Sequence, residues 1–119
     1  LWGSAVYLAH GSHQNTVKNN LIENTGEVFV VGGAIQYDEN WGNLISDNVI
    51  RDVPRFGIGG LNYDPALRSG GNTITGNIVL HSSQKSSDTG AIYIYSGPDG
   101  THDGDIITNN IVVDAGGLE

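Results

Sequence analysis

The sequence has no cysteine and no methionine. Without a thiol there is no disulfide framework, no thiolate metal site and no cysteine nucleophile. Basic residues are scarce. Five Lys and Arg stand against 13 Asp and Glu, for a formal charge of −8. That balance, with no basic cluster, argues against nucleic acid or an anionic membrane as a partner. No apolar run approaches the roughly 20 residues that a membrane-spanning helix needs. No stretch has the charged start and apolar core of a signal peptide. Phosphate-binding glycine loops, nucleophile elbows and dinucleotide fingerprints are also missing. Proline is sparse at three residues, but glycine supplies 18 of the 119 positions. The chain is therefore turn-rich rather than collagen-like. The length suits one domain or a piece of one. The chain begins at Leu1 rather than Met, so the natural start is expected to lie elsewhere, and Leu118-Glu119 reads as a cloning remnant.

What is present is a repeat. The pattern Asn-x-Ile/Val-x-x-Asn-x-Ile/Val occurs as Asn15-Val17-Asn20-Ile22, Asn43-Ile45-Asn48-Ile50 and Asn72-Ile74-Asn77-Val79. It returns as Asp105-Ile107-Asn110-Val112, with Asp in the first place. The second Asn of each copy falls at Asn20, Asn48, Asn77 and Asn110, at intervals of 28, 29 and 33 residues. On a helix these positions would point to about 0°, 200°, 140° and 340°, which is not one face. On one uninterrupted strand the two apolar residues would face opposite ways. Both face one core only if the chain turns a corner between them. Each copy thus reads as short strand, bend, short strand. Asn suits the bend because it tolerates the left-handed region. The spacing also turns Asn inward beside the Ile. A buried carboxamide must be hydrogen-bonded, and stacking one Asn on the next satisfies it in a ladder.

A second strand class precedes each copy: Ala5-Val6-Tyr7-Leu8, Ala34-Ile35-Gln36-Tyr37, Gly57-Ile58-Gly59-Gly60 and Ala91-Ile92-Tyr93-Ile94. About three short strands and three corners per repeat make one turn of a parallel β-solenoid. Parallel crossovers are almost always right-handed. The expected fold is therefore all-β: a right-handed parallel β-helix of about four coils with an internal Asn ladder. Residues 1–119 form one such segment, expected to be an excerpt of a longer solenoid.

The strings GNLISDNVIRDV, GNTITGNIVLHSS and DTGAIYIYSG resemble the right-handed parallel β-helix repeat proteins, across residues 4 to 116. That group includes pectate-lyase-like enzymes, mannuronan C5-epimerases and several glycoside hydrolases. The resemblance implies a secreted, extracellular or periplasmic protein that acts on polysaccharide. It is a signature of packing and turns, and does not fix the reaction.

Solenoid loops on one side carry functional variation. The loops after the Ala-Ile-x-Tyr strands, 9–14, 38–42, 62–71 and 96–104, hold most of the reactive groups: His10, His13, Asp38, Glu39, Trp41, Tyr63, Asp64, Arg68, Asp99, His102 and Asp103. Tyr7, Gln36 and Tyr93 occupy equivalent outward positions beside them. Aromatic faces pack on sugars, and amides and carboxylates bond hydroxyls. Tyr7, His10, Gln36, Trp41, Tyr63, Tyr93 and Tyr95 are the expected substrate contacts. Asp38 and Asp64 each follow a Tyr in adjacent coils, and glycoside hydrolysis needs two carboxyls about 5–9.5 Å apart. They are the candidate acid and nucleophile or base, although Asp64-Pro65 also reads as a turn opener. Asp99 and Asp103 lie in a run of oxygen ligands that suits calcium weakly, so no cofactor is assigned.

Three readings follow. Glycoside hydrolysis is preferred to lyase or C5-epimerase chemistry because the loop wall is acidic. Tyr63-Asp64-Pro65 loosely resembles the epimerases' Asp-Pro-His but lacks the His. The second reading is a non-catalytic glycan-binding or structural module, self-associating through open solenoid ends. The third is a fragment with no present function.

Overall fold

The computed structural model describes residues 3–96 and 103–116. Asp99, His102 and Leu118-Glu119 lie outside the described residues. Among the described residues every regular element is a strand, and the strands fall into four coils of three. The first coil holds β1 (Val6–Leu8), β2 (Thr16–Lys18) and β3 (Leu21–Glu23). The second holds β4 (Ile35–Asp38), β5 (Leu44–Ser46) and β6 (Val49–Arg51). The third holds β7 (Ile58–Asn62), β8 (Thr73–Thr75) and β9 (Ile78–Ser82). The fourth holds β10 (Ile92–Ser96), β11 (Ile106–Thr108) and β12 (Ile111–Ala115).

Stacking the coils makes three four-stranded sheets, β1-β4-β7-β10, β2-β5-β8-β11 and β3-β6-β9-β12. All pairings are parallel, and the register joins like with like. Val6, Ile35, Ile58 and Ile92 form one column. Val17, Ile45, Ile74 and Ile107 form a second, and Ile22, Ile50, Val79 and Val112 a third. The chain is thus a parallel β-solenoid of about four turns. Its core is these three columns closing on one axis. Ile35, Ile45, Ile50, Ile58, Ile74 and Val79 have no exposed surface. Each such side chain contributes roughly 1.5–3 kcal/mol through burial.

Two Asn ladders run beside the columns. The Asn15 Nδ2 donates to Asn43 Oδ1 at 3.0 Å, and the Asn43 Nδ2 to Asn72 Oδ1 at 2.8 Å. The second ladder runs Asn20 to Asn48 at 2.9 Å, Asn48 to Asn77 at 2.9 Å and Asn77 to Asn110 at 3.0 Å. Each rung is doubled, because the backbone N–H of the same Asn donates to the same Oδ1. A buried amide oxygen therefore receives two donors, and no polar cost is left open.

The bend differs from the simplest expectation in one respect. The left-handed residue is not the ladder Asn but the one before it. Asn19, Asp47, Gly76 and Asn109 have φ between 54° and 68°. Gln14, Gly42 and Gly71 do the same before the first ladder. The ladder Asn must keep an inward side chain and a backbone N–H aimed along the stack. Its neighbour takes the turn. A third column of left-handed residues, Asn24, Asp52, His81 and Asp114, makes the remaining corner.

Candidate functional site

The outward face of the β1-β4-β7-β10 sheet positions most of the expected contacts. Alternation on β4 turns Ile35 and Tyr37 inward and Gln36 and Asp38 outward. The register places Tyr7, Gln36, Gly59 and Tyr93 in one outward column. The next column holds Asp38, Leu61 and Tyr95. Gly59 has no side chain because Phe56 lies over it: a Cβ there would overlap the Phe56 ring. Tyr93 stacks on that same ring, with centroids 6.1 Å apart and planes at 10°. Tyr63 reaches over from the following loop to pack on Tyr95, centroids 4.9 Å apart.

At the first two coils the polar groups form a network. The Tyr7 phenol donates to Asp38 Oδ2 at 2.7 Å, and the Gln36 Nε2 donates to Asp38 Oδ1 at 3.1 Å. The Ser4 hydroxyl donates to Gln36 Oε1 at 3.2 Å. The Asp38 acceptor, helped by burial and its negative charge, pushes the Tyr7 phenol up to about 12. Ser4, Tyr7, Val31 and Gln36 line an open cleft of about 460 Å³ at this end of the face.

Asp64 is placed differently. Its Oδ1 turns back to accept from the Ala66 N–H at 2.9 Å, the geometry of an Asp that opens a turn. Its connection to Asp38 runs through Glu39, whose Oε1 accepts from the Tyr63 N–H at 2.9 Å and the Asp64 N–H at 3.2 Å. Glu39 is only 2% exposed and sits at φ 41°, in the left-handed region. Its other oxygen, Oε2, meets the Nδ1 of His10, which is 60% exposed. Glu39 is the site residue to which sequence reasoning gave no role. A signal for it exists. Continuing the β1–β4 register two residues past Leu8 and Tyr37 sets His10 opposite Glu39.

Trp41 belongs to a bridge ladder at the corner, pairing with His13 and with Gly70. Its ring lies 4.4 Å from the His13 ring, and the Arg68 guanidinium stands 5.4 Å from its centroid. Arg68 also pairs with Asp103 at 3.0 Å. Trp41 therefore packs the corner with His13 and Arg68, while the tyrosines occupy the sheet face. Among the described residues no group of three or more His, Asp or Glu side chains is arranged to hold a metal ion. Asp103 is engaged by Arg68, and Asp105 by the ladder and Tyr37.

The fold defines the chain as a parallel β-solenoid with one decorated sheet face. Comparison with protein-family models, with curated proteins and with solved structures finds no match.

Proposed function

We propose that the outward β1-β4-β7-β10 face binds a polysaccharide chain, in a protein that works outside the cytoplasm. The observation that carries this is the in-register run of Tyr7, Gln36 and Tyr93, with Asp38 and Tyr95 beside it. Tyr7, Gln36 and Tyr93 stand on the first, second and fourth coils, and the third coil contributes Gly59, with Phe56 over it, to the same strip. Such a strip matches the alternating apolar faces and hydroxyl edges of a sugar chain. The resemblance to pectate-lyase-like β-helix proteins supports the same reading. The charge of −8 favours neutral glycans over bare polyanions. Glycoside hydrolysis by Asp38 and Asp64 is a narrower form of this proposal. Binding to a panel of soluble polysaccharides tests the broad form. Tyr7→Ala and Tyr93→Ala should each weaken binding at least tenfold. Asp38→Asn and Asp64→Asn, assayed for reducing-end release, test the narrow form. Binding unchanged in both Tyr variants sinks the assignment of this face.

A specific observation favours self-association as well. Ile107 and Val112 of the last coil are 48% and 46% exposed, whereas their register partners Ile74 and Val79 are fully buried. An apolar coil end with unpaired strand edges is a docking surface for another coil end. Sedimentation that depends on concentration, and is lost in Val112→Lys, supports this. A monomer at all concentrations overturns it.

A further inference from the structure

We infer that the cleft beside Asp38 is a subsite for a sugar that carries a free amine, and that Asp38 sets this specificity. The inference rests on the glycan-binding reading of the face and names the class of glycan that the face takes. Ser4, Tyr7 and Gln36 supply the polar side chains of the cleft, and Val31 and Gly32 of the loop before β4 complete it. Its volume of about 460 Å³ lies in the range of small-ligand sites. The loop is held in place. Arg55 Nη1 donates to the Val31 carbonyl at 2.6 Å, and a Cβ at Gly32 would stand 2.8 Å from the Ser4 nitrogen.

The direction of each side-chain hydrogen bond in the row follows from Asp38. An ionised carboxylate only accepts. Gln36 must therefore present Nε2 to Asp38, at 3.1 Å from Oδ1 and 3.2 Å from Oδ2. That leaves Oε1 for Ser4, whose hydroxyl donates to it at 3.2 Å. Tyr7 donates to Asp38 Oδ2 at 2.7 Å. All three side chains turn hydrogens along the row toward Asp38. Lone pairs of Ser4 Oγ, Gln36 Oε1 and Tyr7 Oη remain for a ligand. An ammonium group has three donors and no acceptor, so it fits such a surface. A sugar hydroxyl brings lone pairs of its own, and a uronate carboxylate brings only lone pairs. Charge points the same way. Among the described residues Asp38 is in no ion pair, whereas Glu39 beside it meets His10, and Arg55 is turned to Val31 and Asp88. A protonated amine in the cleft supplies the counter-charge that Asp38 lacks, and charge-assisted hydrogen bonds are the strong ones. It also stands beside the Tyr7 ring, which is 49% exposed.

The experiment compares glucosamine oligomers with their N-acetylated counterparts by calorimetry, at low salt and a pH where the amine is protonated. Acetylation removes the charge and two of the three N–H donors. The wild-type protein should bind the free-amine oligomer at least tenfold more tightly. Asp38→Asn should bring that preference below twofold and keep the binding of the acetylated oligomer. Asp47→Asn removes one charge at an exposed corner elsewhere, where Asn suits the φ of 54°. It should keep the preference. Equal binding of the two oligomers by the wild type, or an undiminished preference in Asp38→Asn, overturns the subsite and leaves the glycan-binding face standing. A loss in Asp47→Asn as large as in Asp38→Asn also overturns it, since overall charge would then be the cause. Absence of binding to any glycan overturns both readings. The Tyr7 phenol gives a readout that needs no ligand. It is pushed up to about 12, first by its hydrogen bond to Asp38. Its NMR signal, identified by its loss in Tyr7→Phe, should titrate about one pH unit lower in Asp38→Asn. An unmoved titration overturns the role of Asp38 in ordering the row.

Discussion

The Tyr37 phenol donates to Asp105 Oδ2 at 2.8 Å, across 68 positions of sequence. Tyr37 starts on β4 in the second coil, runs inside the core past Gly60, and ends on the fourth coil. This explains why the last copy of the repeat begins with Asp. Its Oδ1 accepts the Asn72 N–H and Nδ2 at 2.9 Å, as an Asn would. Its Oδ2 accepts the phenol, which an amide nitrogen cannot do. Asp105→Asn should therefore cost about 1–3 kcal/mol by leaving a buried hydroxyl without an acceptor. Tyr37→Phe should largely cancel that penalty in the double variant. Urea denaturation of the four proteins gives the coupling; strict additivity would refute the pairing as described.

The same phenol makes the fold sensitive to alkali. Burial, and then the Asp105 charge, push Tyr37 far above its ordinary value of 10.0. Tyr7 is raised to about 12. Both phenols stay protonated in the folded chain where the unfolded chain ionises. Their contribution is fully present below the unfolded value of about 10, and it is lost as pH rises toward the folded values. Denaturation midpoints should fall from about pH 10 upward, and Tyr37→Phe should flatten that fall. A Tyr37→Phe profile that parallels the wild type would show that the phenol is not the cause.

Rungs within the ladder should matter more than rungs at its end. Asn77 receives the Asn48 N–H and Nδ2 and donates to Ile45 O and Asn110 Oδ1. Replacing it by Ala orphans groups on both neighbours and should cost about 2–4 kcal/mol. Asn20 is exposed and is not the acceptor of another rung within the described chain. Asn20→Ala should cost less than about 1.5 kcal/mol. Equal losses in thermal melts would contradict the ladder's stabilising role.

Gly60 is required by the path of Tyr37. A Cβ at Gly60 would overlap the Tyr37 ring and lie 2.5 Å from its hydroxyl oxygen. Gly60→Ala should destabilise by about 1–3 kcal/mol, and adding Tyr37→Val should recover part of the loss. Gly90→Ala is the control. The nearest atom to its Cβ would be 3.6 Å away, and its effect should stay within about 0.5 kcal/mol.

The solenoid is legible in the sequence because one geometry satisfies all four repeat copies at once. Asn15-x-Val17 and Asn20-x-Ile22 place an amide and an aliphatic side chain inward on either side of a corner. The outward column of Tyr7, Gln36 and Tyr93 follows from the same alternation. The inside of the site was less accessible. Glu39 is held by the backbone of Tyr63 and Asp64, which lie 24 and 25 residues away on a loop whose path no local pattern encodes. Phe56 covers Gly59 from just before β7, a contact that no repeat position marks. Asp64 shows the opposite case. Its turn role was visible in Asp64-Pro65, and its side chain makes the corresponding bond to Ala66 N.

The offsets along the ladder, 28, 29 and 33 residues, have a kinetic consequence. No coil can form its rungs until roughly a full repeat of chain has been closed into a loop. Loop closure of that size costs several RT and is paid without reward until the first pair of coils docks. Every later coil then zips onto a finished template, with aligned acceptors and an apolar floor. Folding should therefore begin slowly at one pair of coils and spread quickly along the axis, like growth on a seed. The extra residues of the last interval lengthen the loop to be closed and leave the rungs where they are.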